Sequence, residues 1–147
     1  ARALGYAGAI PFVALAIAIW ALDPRDAQPL LVAFRAWAAV ILPFLGAVWW
    51  GLLLAREDLV VATRRASVLL MGVVPATFAA VALLLPAVSG LLLSAAGFAL
   101  FRLLETLPSH RGFYPPWYDR LRARLTWLVL VCHAGMATWA ATGYHVL

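Results

Sequence analysis

Pro115-Pro116-Trp117-Tyr118-Asp119-Arg120-Leu121-Arg122-Ala123-Arg124-Leu125-Thr126-Trp127 joins an aromatic pair, an arginine comb and the start of a long apolar run. Aromatic rings of this kind settle at the headgroup level of a bilayer, and arginines that flank an apolar run resist translocation. The stretch therefore marks where a last membrane span begins and on which side. In a helix Arg120 and Arg124 point about 40° apart while Arg122 points almost opposite, so the comb is not a single basic stripe. Asp119 is expected to pair with Arg122 at three-residue spacing. That leaves Arg120 and Arg124, beside Trp117 and Tyr118, as the lipid-binding residues, each guanidinium worth about 1 kcal/mol near an anionic surface.

Composition agrees with this reading. Of 147 residues, 66% are hydrophobic and 12% charged, and the mean hydropathy is +0.97. A soluble globule of this size would expose large apolar patches. The net charge of +5 comes from arginines alone, lysine being absent. Because these arginines flank apolar runs, the expected partner is anionic lipid rather than nucleic acid. The single cysteine, Cys132, allows no internal disulfide and no cysteine-rich metal site. The first apolar run is too long and too proline-marked for a cleaved signal, and reads as a retained span.

Five windows meet or approach the roughly 20 helical residues that a bilayer core requires: Ala3 to Leu22, Leu30 to Leu54, Ser67 to Leu85, Ala87 to Leu104 and Leu125 to Leu147. Asp23-Pro24-Arg25-Asp26 with Pro29 reads as a polar turn, and Arg56-Glu57-Asp58 with Arg64 and Arg65 as a charged loop. Pro86 separates the third and fourth windows into a tight hairpin. Between Glu105 and Arg124, Pro108, His110, Arg111, Gly112, Pro115 and Pro116 suit a loop followed by a short interfacial helix. The expected fold is an all-α membrane protein: a single domain over residues 1–147, built as a compact bundle of five transmembrane helices with a short interfacial helix before the last. Arginine asymmetry then places the N-terminus in the cytoplasm and Leu147 in the periplasm.

Pro11, Pro43 and Pro75 fall inside spans, where each removes a helical donor and frees the carbonyl of Ala7, Ala39 or Met71. Such carbonyls can frame a ligand cavity, although neighbours commonly satisfy them. Arg35 lies inside the second span and must snorkel or find a partner, with Asp23 and Asp26 the nearest acids. Trp49 and Trp50 differ by about 100° in direction, so one can pack inward while the other lies in the interface belt. His133 is the deep titratable group, open to three roles: metal or haem ligand, proton shuttle, or hydrogen bonding across helices. His145 is too far along the same helix to share a metal with it. Ala134, Thr138 and Ala141 or Thr142, with Gly135 beside them, form a small-residue stripe suited to close helix packing in the bundle. Ser67, Ser89, Ser94 and Ser109 show no histidine-and-acid pattern, and no phosphate loop, zinc motif or paired intramembrane carboxylate occurs. No catalytic or metal-binding set is expected, and Tyr6, Trp37, Trp49 and His133 are the candidate cofactor-binding residues.

Several segments together resemble an uncharacterised membrane family that includes the mitochondrial transmembrane protein sixty-nine and proteobacterial inner-membrane proteins. They are Leu4-Gly5-Tyr6-Ala7-Gly8 with Ile10-Pro11-Phe12, then Ala39-Val40-Ile41-Leu42-Pro43-Phe44-Leu45-Gly46-Ala47-Val48-Trp49-Trp50-Gly51, then Val74-Pro75, then Pro116-Trp117-Tyr118 with Leu121-Arg122 and Leu125-Thr126. The chain departs from that family's pattern at Pro43, where a small polar residue is usual, and at Trp49, where a basic residue or histidine is common. The resemblance implies a compact helical domain of the bacterial, or mitochondrial, inner membrane and carries no reaction. Two functional classes remain. One is a non-enzymatic accessory subunit packing against a larger, energy-transducing membrane complex. The other is a binder of a hydrophobic ligand such as a tetrapyrrole, quinone or lipid. The first is the expectation.

Overall fold

The computed structural model describes residues 2–55, 62–107 and 115–143, and every regular element in them is helical. The Arg56-Glu57-Asp58 loop, the stretch with His110 and Arg111, and His145 lie outside the described residues. Helices α1 (Arg2–Ala7) and α2 (Ile10–Ala18) meet at Gly8, and a 3₁₀ turn, Ile19–Ala21, ends this arm. Pro11 stands near the start of α2, where a missing N–H costs nothing.

Helix α3 (Pro24–Ala55) begins earlier than the sequence suggests. Pro24 opens it, Asp26 lies in its first turn, and the Asp23 carbonyl accepts from the N–H groups of Asp26 and Ala27 at 2.9 and 3.0 Å. The polar segment expected as a turn is thus a helix start, since proline and an acid both favour the first turn. The helix continues unbroken past Pro29 and Pro43. Leu31, Phe34, Ala38, Leu42 and Trp49 recur at helical spacing and are buried, whereas Val32, Val40 and Phe44 point outward.

Helices α4 (Ala62–Leu84) and α5 (Ala87–Thr106) form the expected hairpin around Pro86. Its corner is held by Arg35 of α3, not by lipid and not by Asp23 or Asp26. Arg35 Nη2 donates to the carbonyls of Ala82, Leu83 and Leu85 at 2.8, 3.2 and 2.7 Å. Those carbonyls belong to the last turn of α4 and the residue just past it, where a helix end leaves carbonyls without partners of its own, and a cation suits the negative end of the helix dipole. Gly90 makes the approach possible: a Cβ there would meet the Ala82 carbonyl and come within 2.8 Å of the same nitrogen.

Helix α6 (Pro116–Gly143) is continuous, so the short interfacial helix merges with the last span. No internal proline interrupts it, and Leu121, Arg122 and Thr126 are buried against the bundle instead of lying on a lipid surface. Its small-residue stripe also departs from expectation. Ala134, Thr138, Ala141 and Thr142 face outward, and a Cβ on Gly135 would meet nothing within 4 Å.

Three segments are long and apolar enough to cross a membrane: Pro24–Leu52, Ala87–Thr106 and Pro116–Thr142. Gly5–Ala21 and Leu69–Leu84 are shorter apolar helices. One buried cluster, containing Phe12, Phe34, Leu42, Leu91, Phe98 and Met136, joins α2, α3, α5 and α6. A smaller one sets Trp49 against Met71 and Phe101. Helices α3 and α4 approach closely at Gly46, where an added Cβ would stand 2.7 Å from the Gly72 carbonyl oxygen and 3.1 Å from that of Met71. Both obstacles are backbone and cannot rotate away. Gly46→Ala is therefore expected to force the helices apart and destabilise the fold by about 1–3 kcal/mol. Gly51→Ala, whose Cβ meets nothing within 4 Å, should leave the unfolding temperature in detergent unchanged or slightly raised.

Candidate functional site

The candidate cofactor residues of the sequence do not converge. Tyr6 is exposed to 41% on α1. Trp37 donates its indole N–H to the Gly8 carbonyl at 3.1 Å and so pins the α1–α2 break to α3. Trp49 is fully buried against Met71 and Phe101, whereas Trp50 points outward and donates to the Leu69 carbonyl at 3.1 Å. His133 lies on α6 in the middle of the bundle, among the rings of Phe34, Phe98 and Phe12 at centroid distances of 4.8, 5.5 and 5.8 Å.

Both nitrogens of His133 are engaged. Nδ1 lies 2.8 Å from the Val129 carbonyl oxygen, which only accepts, so Nδ1 carries the proton. In the neutral ring Nε2 then accepts from the Ser94 hydroxyl at 3.2 Å. This bond crosses from α6 to α5, and it corrects the sequence reading in which Ser94 had no histidine nearby: the two are 39 positions apart in the chain. The cavity beside them, bounded also by Arg35, Ala38 and Gly90, measures about 10 Å³. That is room for no more than one water. The pair stitches two helices and has no space for a substrate. Among the described residues no three of His, Cys, Asp and Glu are grouped to hold a metal ion.

A second polar cluster joins the end of α5 to the start of α6. Arg122 Nη2 donates to both carboxylate oxygens of Glu105 at 3.2 Å each, and both side chains are buried. Arg102 lies 3.6 Å from Glu105 and 2.9 Å from Asp119. Asp119 thus pairs with Arg102 and not with Arg122 as its spacing suggests. The reason is direction: Arg122 turns inward over the Phe101 ring, 5.8 Å from its centroid, while Asp119 stays half-exposed. Arg120 and Arg124 are exposed, and Trp117 and Tyr118 pack edge-to-face at 5.7 Å.

Next to this cluster the helices do not close. A cavity of about 370 Å³ lies between the α1–α2 arm, the second half of α3 and the first half of α6, with Phe98 of α5 on its wall. Gly5, Gly8 and Ala9 form one side because they bring almost no side chain; Ile41, Leu45 and Val48 form another; Leu121, Leu125 and Val129 a third. Phe44, 64% exposed, stands at its rim, so the cavity opens towards the lipid-facing surface. Arg122, Trp117, Tyr118 and Thr126 are its polar lining. Sequence reasoning named Trp117 and Tyr118 for lipid contact but missed Arg122 as a wall residue. The absence of side chains at Gly5 and Gly8 was the available signal.

A family model described as "Protein of unknown function (DUF3429)" matches residues 1–138. The chain belongs to this family. No curated protein and no solved structure matches it. The matched region takes in α1 to α5 and α6 as far as Thr138, and so contains both polar clusters and the whole cavity wall.

Removing one partner of a buried ion pair leaves the other charge uncompensated, at a cost of about 3–5 kcal/mol, whereas replacing both by apolar residues is often neutral. Glu105→Leu is therefore expected to lower the unfolding temperature sharply, and Glu105→Leu with Arg122→Leu to restore much of the loss. Asp119→Asn, on a half-exposed side chain, should cost less than about 1 kcal/mol. Thermal unfolding of the purified protein in one detergent compares all three.

Proposed function

We propose that this chain is a non-enzymatic subunit of the bacterial inner membrane, a relative of the mitochondrial transmembrane protein sixty-nine, and that it packs against a larger membrane complex. The observation that carries this reading is the outer face shared by the start of α5 and the end of α6. There Pro86, Ala87, Ser89, Leu92, Ala140 and Ala141 line an open groove of about 620 Å³. The exposed stripe of Ala134, Thr138 and Thr142 lies on the same half of α6. The hydroxyls of Thr138 and Thr142 donate to the Ala134 and Thr138 carbonyls at 2.9 Å. Small residues with internally satisfied hydroxyls let another helix approach closely, and close packing is what drives helix association where lipid is as apolar as the protein.

Five crossings fit this role. The α1–α2 arm and α4 supply two in addition to the three long apolar segments, with 17 residues of Gly5–Ala21 rising about 25 Å, nearly the thickness of a bilayer core. Arg120, Arg122 and Arg124 then share the N-terminal side, which arginine asymmetry assigns to the cytoplasm.

Gently solubilised protein is expected to run as an assembly heavier than its 15.9 kDa chain with bound detergent. Thr138→Leu with Ala141→Leu should return it to a monomer without lowering its unfolding temperature. A wild-type chain that is monomeric under those conditions would refute the proposal. Topology is tested separately: reporter tags at Ala1 and Leu147 are expected on opposite sides of the membrane, and tags on the same side would sink the five-span arrangement.

A further inference from the structure

We propose that the 370 Å³ cavity between the α1–α2 arm, α3 and α6 is a binding site for a membrane quinone, with its carbonyl-bearing ring held at Arg122 and its apolar tail leaving past Phe44 into lipid. This goes beyond the packing role, since the cavity and the α5–α6 groove have no lining residue in common.

The volume falls in the range of small-molecule sites, about 300–1,000 Å³. The wall is mainly apolar, and its aromatic rings, Phe12, Phe44, Phe98 and Trp117, suit a flat ring. One buried polar side chain faces the cavity with donors to spare. Arg122 is 5% exposed, and both of its hydrogen bonds to Glu105 leave from Nη2. A guanidinium carries further N–H groups on Nε and Nη1, and among the described residues neither nitrogen has an acceptor. A donor exposed on the wall of a mainly apolar cavity is matched by an acceptor on the ligand.

Charge decides which acceptor. The guanidiniums of Arg122 and Arg102 are balanced by the carboxylates of Glu105 and Asp119, and the exposed Arg120 and Arg124 do not line the cavity, so among the described lining residues there is no surplus cation. An ionised phosphate would compete with the Glu105 carboxylate for Arg122, while an uncharged carbonyl oxygen accepts from Arg122 without disturbing the pair. Depth agrees with this choice. Arg122 lies six residues into α6, about 9 Å along the helix from Pro116, below the Trp117–Tyr118 pair.

The test is photolabelling in phosphatidylcholine nanodiscs with a decyl-benzoquinone that carries a diazirine on its tail. Labelling should saturate, fall on peptides covering 41–48 and 121–129, and be suppressed by unlabelled decyl-benzoquinone. Val48→Trp and, independently, Gly8→Leu should weaken it roughly tenfold, the effect of about 1.4 kcal/mol of obstruction. A Cβ at Gly8 meets only the Gly5 carbonyl, at 3.6 Å, so the backbone there admits a side chain, and an unchanged unfolding temperature shows that the variant is folded. Val131→Trp, on an exposed position elsewhere on α6, should leave labelling unchanged. Labelling that never saturates, that spreads evenly over the lipid-facing helices, or that phosphatidylglycerol displaces as well as the unlabelled quinone does would overturn the proposal.

Discussion

Three carbonyl oxygens at the α4–α5 corner converge on a single nitrogen of Arg35, and the arrangement of the bundle follows from the need that this meets. In an apolar phase a helix end with unpaired carbonyls costs several kcal/mol per group. A chain that turns sharply at Pro86 must therefore bring a donor to the turn. Arg35 does so from the neighbouring helix, and its own charge is accommodated by the helix dipole it caps. One residue thereby meets two costs, the exposed carbonyls and the intramembrane cation, and ties the α4–α5 hairpin to α3.

Helix α3 repeats this device along its length. Trp37 reaches the Gly8 carbonyl at the α1–α2 break, and Trp50 reaches the Leu69 carbonyl on α4. Close contact adds to it where Gly46 abuts the backbone of Gly72 and Met71. The polar and glycine positions that made this segment the most unusual in the sequence are thus its contacts with the rest of the bundle. The prolines are less consequential. Pro43 and Pro75 sit within unbroken helices, Pro11 sits near a helix start, and none of the Ala7, Ala39 and Met71 carbonyls lines the large cavity.

Helical class, the hairpin at Pro86 and the divergence of Trp49 and Trp50, one inward and one outward, were legible because they depend on periodicity and on local breakers; which of the two turns inward was not. The partners of Arg35 and Arg122 were not. Spacing ranks acids by their distance along the chain, so it offered Asp23, Asp26 and Asp119, whereas the structure uses carbonyls 47 to 50 positions away and Glu105 at 17. Ser94 and His133 were hidden in the same way. A sequence shows which groups require a partner; the packing of helices distant in the chain selects it. The cavity was least legible, since it is made of what Gly5, Gly8 and Ala9 lack.

That gap persists because its two sides are fastened independently of each other. The Trp37 bond to Gly8 holds the α1–α2 arm to α3, and the Glu105–Arg122 pair holds the start of α6 to α5. Leu121 already sits where a side chain on Gly5 would go, 2.9 Å from its Cβ position, so the arm and α6 touch there and cannot slide closer. Further along, His133 joins α6 to Ser94 of α5 and fixes the helix about one turn beyond Val129, the last α6 residue of the cavity wall. To close the opening the bundle would have to release a buried ion pair or an indole hydrogen bond, and the dispersion gained from filling the space with its own side chains is spread over small residues with few atoms to offer. An outside apolar group, entering beside Phe44, fills it with those bonds intact.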